Sequence, residues 1–258
     1  MASTIDAVKG SYVLELMENG TREDGRSLLD FREITIEKGV IPNAEGSARV
    51  KLGNTTVLVG IKADIDSPMK DKPDEGNLMV SAELLPLASK NYEPGPPGED
   101  AIELARVVDR GIRAQNMIDL KSLFIEKDKV WSIFIDVYVL NYDGNLFDAS
   151  YIAAVAALNN TKIPKYEDEK LNRSETTQLK LNGIVTSCTF AKLAGKVVLD
   201  PTGNEESVMS ARVTISNDEN SIRSMQKGLS GSFTQNELEE LISVSFEKSK
   251  ELRDKIGN

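Results

Sequence analysis

The chain of 258 residues contains no histidine and a single cysteine, Cys188. Histidine is the commonest general base near neutral pH and the commonest metal ligand. Its absence rules out Ser-His-Asp and Cys-His chemistry within this chain, and histidine-ligated zinc with them. One cysteine can form neither an internal disulfide nor a cysteine-built metal site, so an intracellular, cytoplasmic setting is expected. No apolar run reaches the roughly 18 residues that would read as a membrane span. The opening MASTIDAVKGSYVLELMENG lacks the basic start and apolar core of a secretory signal. No glycine loop of Walker or Rossmann type joins a strand pattern to a helix pattern. Carboxylates, Lys, Arg, Tyr and hydroxyls are what remain for chemistry.

The rest of the composition is that of a folded globular protein, 40% hydrophobic and 28% charged. The length suits one large domain or two modest ones. A net charge of −10 argues against a protein that coats nucleic acid over its whole surface, but leaves room for a local basic groove. Residues 4–18 read as an amphipathic helix, with Ser3 or Thr4 to cap it and Gly20 just past its end. β-Branched and alternating segments follow, and the Gly53-Asn54 pair predicts a tight hairpin turn. SPMKDKPDEG, residues 67–76, reads as an exposed loop without calcium-loop spacing. NLMVSAELLPL resumes as a strand, and a proline-rich loop then leads into a helix over roughly residues 99–117. KVWSIFIDVYVLNYDG predicts a strand buried on both faces, and the alanine-rich NLFDASYIAAVAALNN a deeply packed helix. After a polar stretch at 160–180, strands and a final helix come again. Strands then helices, twice, predicts an α+β fold in two similar halves. The expected divisions are a helical extension at 1–30, a first domain at 31–165 and a second at 180–258.

Three places could carry chemistry. DAIELARVVDRGIRAQ sets Arg106, Arg110 and Arg113 within a helical sector of roughly 60°, with Ile102 and other apolar positions covering most of the remaining circumference. Such a stripe matches phosphate geometry. It is equally a salt-bridged surface helix, since Glu103 precedes Arg106 by three and Asp109 precedes Arg113 by four. Second, Asp200, Glu205 and Glu206 cluster in VVLDPTGNEESVMSARV, either as a polar turn or as acids able to hold Mg²⁺ or shuttle protons. Third, NYDGNLFDAS precedes the apolar helix at a place suited to phosphate, but Leu146, Phe147 and Asp148 make it a structural turn.

Seven collinear motifs then carry a resemblance covering nearly the whole chain: DGRSLLDFREI, GSARVKLGNTTVLVGIKADI, EGNLMVSAELLPLAS, AIELARVVDRGIRA, DVYVLNYDGNLFDASYIAAVAAL, VLDPTGNEESVMSARVTI and MQKG. Together they resemble the RNase PH-like family, and within it the non-catalytic ring subunits of the archaeal exosome. The resemblance implies two related βαβ-containing domains. It implies kinship with enzymes that degrade RNA from the 3′ end with inorganic phosphate as nucleophile, releasing nucleoside diphosphates. Active members bind that phosphate at a Gly-Thr-Arg or Gly-Ser-Arg turn; here Gly144, Asn145, Leu146 and Phe147 stand there. Ser210 and Arg212 occupy positions where acids are expected, and Glu99 and Asp100 replace an arginine before the long helix. No catalytic residue, metal or cofactor is therefore expected in this chain. The implied partners are a catalytic RNase PH-like subunit alternating with this one, three of each, in a six-membered ring, together with RNA-binding cap subunits and single-stranded RNA. The resemblance gives Arg106 and Arg110, and less directly Arg113, contacts to RNA phosphates. The alternative is that this chain is itself an active phosphate-dependent 3′–5′ exoribonuclease, built on Asp200, Glu205 and Glu206.

Overall fold

The computed structural model describes residues 4–167 and 170–257. The chain runs through α1 (Thr4–Glu18), β1 (Ile34–Lys38), β2 (Gly46–Leu52), β3 (Thr55–Asp66), β4 (Asn77–Leu84), α2 (Glu99–Ala114), β5 (Phe124–Glu126), β6 (Lys129–Asn141) and α3 (Leu146–Asn159). The polar stretch after α3 forms a two-stranded hairpin, β7 (Lys162–Glu167) and β8 (Lys170–Gln178). Then come β9 (Thr186–Leu193), β10 (Lys196–Leu199), the short α4 (Gly203–Glu206), β11 (Ala211–Asn217), β12 (Ile222–Gly228) and α5 (Gln235–Gly257).

The first sheet has the order β1-β2-β3-β6-β4, with β5 also on β6. All its pairings are antiparallel except that of β4 with β6. A parallel pair needs a crossover, and α2 supplies it. The second sheet, β10-β9-β11-β12, is antiparallel throughout. β10 and β11 flank β9 and are joined through α4, and α5 packs against β9 and β11. The two halves of strands and helices expected from the pattern are thus both present.

α3 lies between these layers. It packs on β2 and β3 on one side and on β9 on the other. That is why residues from Phe147 to Leu158 are buried all round the helix rather than along one stripe. Alanine suits this position, because it has the best helix propensity and lets both sheets approach closely. Tyr151, fully buried, reaches across to α2 at Gly111, where a β-carbon would fall 2.0 Å from the tyrosine oxygen.

Two expectations need correction. β6 is not buried on both faces: Ile133, Ile135, Val137 and Val139 are buried, while Trp131, Phe134, Tyr138 and Leu140 are only half-buried. The helices cover one face of this sheet, and the long side chains of the other face shield it in part. The N-terminal helix is not cleanly two-faced either. Val13 and Met17 pack on Ala191, Leu193 and Val198 of the second sheet, but Val8 and Tyr12 are exposed. Ser3, the other cap candidate, lies outside the described residues.

Gly111→Ala should push α2 away from Tyr151 and cost about 1–3 kcal/mol. Urea unfolding of the variant should show a lower midpoint with an unchanged slope.

Candidate nucleic-acid interface

α2 starts without a side-chain cap at Gly98, and Glu99 and Asp100 meet its positive end instead. Ala101, Leu104, Val107, Val108, Gly111 and Ile112 bury one face. Arg106, Arg110 and Arg113 are exposed on the other, as the spacing required. Ile102 is not part of the covered circumference: it is 49% exposed, one turn before Arg106 on the same edge.

The three arginines are not equivalent. Arg113 is tied down, since its Nε donates to both oxygens of Asp109, at 2.8 and 2.9 Å, and its Nη2 donates to the carbonyl of Leu78. The side chains of Arg106 and Arg110 make no hydrogen bond or ion pair with any described residue. The expected pairing of Glu103 with Arg106 does not form. Glu103 accepts instead from Arg212 on β11, at 2.6 Å. α2 therefore offers two free guanidinium groups, which can grip phosphate oxygens without reading bases.

The turn before α3 is built differently from an anion site. Gly144 at φ +83° passes within 2.4 Å, measured from its would-be β-carbon, of the Pro201 carbonyl, so only glycine fits there. Asn145 follows in the left-handed region at φ 50°. Its backbone N–H donates to Oε1 of Glu206 at 2.9 Å, and its Nδ2 donates to Asp148 and to Asp200. A helix N-terminus attracts anions, and here the protein's own carboxylates have gathered at it. The Tyr142 hydroxyl donates to Glu206 Oε2 at 2.6 Å. Burial raises the Glu206 pKa, opposed by the bonds from Tyr142 and Asn145. Burial raises Tyr142 and Tyr92 as well, helped by the negative charge of Glu206. Asp148 is fully buried and accepts from Ser187 Oγ at 2.6 Å, from the Thr189 N–H at 2.7 Å and from Thr189 Oγ1 at 2.9 Å. Desolvation pushes its pKa up to about 6 despite these donors.

The acidic cluster is likewise spent on structure. Asp200 is fully buried with a left-handed backbone, φ 53°. Its carboxylate accepts from Arg32 Nε and Nη2 at 2.9 and 2.7 Å, from the Arg32 N–H at 2.9 Å and from Arg26 at 3.0 Å. Glu205 takes a two-pronged bond from Arg22, at 2.8 and 2.5 Å, with both side chains buried. Arg22, Arg26 and Arg32 all come from the extended segment before β1, and sequence reasoning missed their role. The available signal was three arginines in TREDGRSLLDFREI together with three acids in the later cluster. Local spacing gives no hint that the two segments meet.

Glu99 and Asp100 line a cleft of about 790 Å³ beside the proline-rich loop, with Glu83, Tyr92 and Glu93. This wall is negative and repels phosphate. Of the other substituted positions, Ser210 is exposed and bonds the Lys192 carbonyl at 3.1 Å, while Arg212 rests on the Phe147 ring, 4.1 Å from its centre. Among the described residues no helix is long and apolar enough to cross a membrane.

Residues 30–164 match the model of the 3′ exoribonuclease family, domain 1, and residues 183–248 match domain 2 of the same family. The chain belongs to this family, the RNase PH family. It is 48% identical over 254 residues to the exosome complex component Rrp42 of Methanothermobacter thermautotrophicus, covering 96% of this chain and 94% of that protein. To the Rrp42 component of Thermococcus kodakarensis it is 47% identical over 257 residues, covering 97% and 94%. A chain of the Archaeoglobus fulgidus exosome with RNA bound to the active site superposes with a TM-score of 0.93 at 42% identity, covering 98% of this chain and 99% of that one.

Two stability tests follow. Arg22→Met strands the Glu205 carboxylate in the interior and should cost about 3–5 kcal/mol in chemical denaturation. Asp148 carries the pH test. Its folded pKa of about 6 lies above the ordinary carboxylate value, so the native state takes up a proton that the unfolded chain does not. Its contribution to stability therefore rises as pH falls from about 6 toward 4. Asp148→Asn should be less stable than the parent throughout, with the gap widening over that window when both are unfolded in urea at several pH values.

Proposed function

We propose that this chain is a non-catalytic ring subunit of an exosome-type RNA-degrading complex. It holds the backbone of single-stranded RNA beside the active site of a phosphorolytic 3′–5′ exoribonuclease partner. The observation that carries this reading is a contrast within one chain. Carboxylates of Glu206, Asp148 and Asp200 crowd the α3 start where active relatives bind phosphate, while Arg106 and Arg110 stand exposed and unpaired on α2. A phosphate nucleophile would meet negative charge there, and Asp200 and Glu205 are buried against arginines, away from any substrate. The arginine stripe needs only phosphates, so the grip is independent of sequence. Arg113, already paired, contributes less. The partner is a catalytic RNase PH-like subunit alternating with this one in a six-membered ring, with RNA-binding caps above it, in the cytoplasm. The relatives named as exosome components and the close match to an RNA-bound exosome chain support this assembly.

Decay of a 3′-tailed RNA, with and without phosphate, tests the reading. This chain alone should be inert, and the mixture with its partner should be faster than the partner alone. Phosphate-dependent decay by this chain alone would refute a silent role. In the assembled ring, Arg106→Ala with Arg110→Ala should weaken RNA binding and flatten its dependence on salt, because fewer counterions are released. An unchanged slope would remove α2 from the RNA path.

A further inference from the structure

Glu103 and Arg106 lie three residues apart on α2, the spacing at which opposite charges meet on a helix surface. Yet the Glu103 carboxylate turns away from Arg106 and takes the Arg212 guanidinium of the second domain. Arg212 is held for this purpose on several sides. Its guanidinium lies over the ring of Phe147. Gly228, its partner on β12, leaves room for it, since a β-carbon there would fall 2.7 Å from Nη2. Arg212 is only 9% exposed, and Glu103 is the one acceptor it bonds among the described residues.

We propose that Arg212 is a positioning residue for the RNA grip: it holds the Glu103 carboxylate against β11 and so keeps it off Arg106. The inference rests on Arg106 being a phosphate contact. The energetics favour this division. A desolvated guanidinium needs an anionic partner, whereas an exposed one is served by water and gains little from a surface pair. Glu103 therefore goes to the buried cation, and the exposed one stays open. Without Arg212, the nearest cation to Glu103 along the helix is Arg106, and the carboxylate then competes with phosphate for it. Phe147 and Arg212 each depart from the pattern of active relatives, and here they touch. Two changes that remove chemistry from this chain together build one device that serves RNA binding.

The test is RNA affinity of the ring assembled with its catalytic partner, measured without phosphate over a salt series. The samples are the parent, Arg106→Ala, Arg212→Gln, Glu103→Asp and the double variants Arg212→Gln/Glu103→Gln and Arg106→Ala/Arg212→Gln. Arg212→Gln should weaken binding roughly twofold, the strength of an ion pair at this helical spacing. The double variant should recover parental affinity although it too lacks the interdomain pair, and Arg212→Gln should add nothing to Arg106→Ala. Glu103→Asp, one methylene short of Arg212, should also weaken binding, and it leaves the buried arginine in place should Arg212→Gln fail to assemble. Parental affinity for both Arg212→Gln and Glu103→Asp, or a loss that the double variant does not recover, would overturn the proposal while leaving the RNA grip intact. Parental affinity for Arg106→Ala would overturn the grip itself, and this inference with it.

Discussion

The buried carboxylate of Asp200 is the point on which the architecture turns. It sits at the end of β10 in a left-handed conformation that an aspartate holds only when its surroundings compel it. Arg26 and Arg32 compel it from the segment before β1, and Asn145 from the turn before α3. Arg32 also donates to the Asp143 carbonyl at 2.6 Å. One anion thus joins the N-terminal segment, the first domain and the second. Buried ion pairs of this kind add little net stability against a well-packed apolar core, but they fix which surfaces meet. The turn before α3 takes part of its shape from this junction, through the bond that Asn145 donates to Asp200.

An acidic protein can still keep guanidinium groups open. Most arginines are consumed internally: Arg22, Arg26 and Arg32 at the junction, Arg113 on Asp109, Arg212 on Glu103. What distinguishes Arg106 and Arg110 is the absence of a partner rather than their number. In a chain of net charge −10, these two open guanidinium groups share one exposed helix face.

Much of this was legible in the sequence wherever the signal is local. The start of α2, the alanine-rich helix, the Gly53-Asn54 turn and the arginine stripe follow from helical period and turn chemistry, while α2 ends at Ala114, short of the expected 117, before Asn116 turns to φ 52°. NYDGNLFDAS forms a turn into a helix as its residues predicted, with Asn145 capping α3 in a left-handed conformation. What was hidden is whatever depends on distant partners. Glu103 has a cation three residues on, yet answers one 109 residues away. Asp200, Glu205 and Glu206 read as a polar turn or as reactive acids, and the arginines that pair with Asp200 and Glu205 arrive from the other end of the chain, while Glu206 accepts from Tyr142 and Asn145. The apolar run of β6 misled for a related reason. Residue type records how greasy a strand is, while only the placement of helices decides which face is covered.

The complete burial of α3 has a further consequence. Its side chains join one apolar cluster with strands of the first sheet and with Val185, Leu252 and Ile256 of the second half. The molecule therefore has an interior that crosses from one half to the other, although the second sheet also packs a cluster of its own, Cys188, Phe190, Leu199, Val213, Ile215 and Leu241, against α5. A cavity opened against α3 from either half is therefore felt by both. The halves are also tied in volume: a larger residue accepted by one sheet against α3 calls for a smaller one on the other.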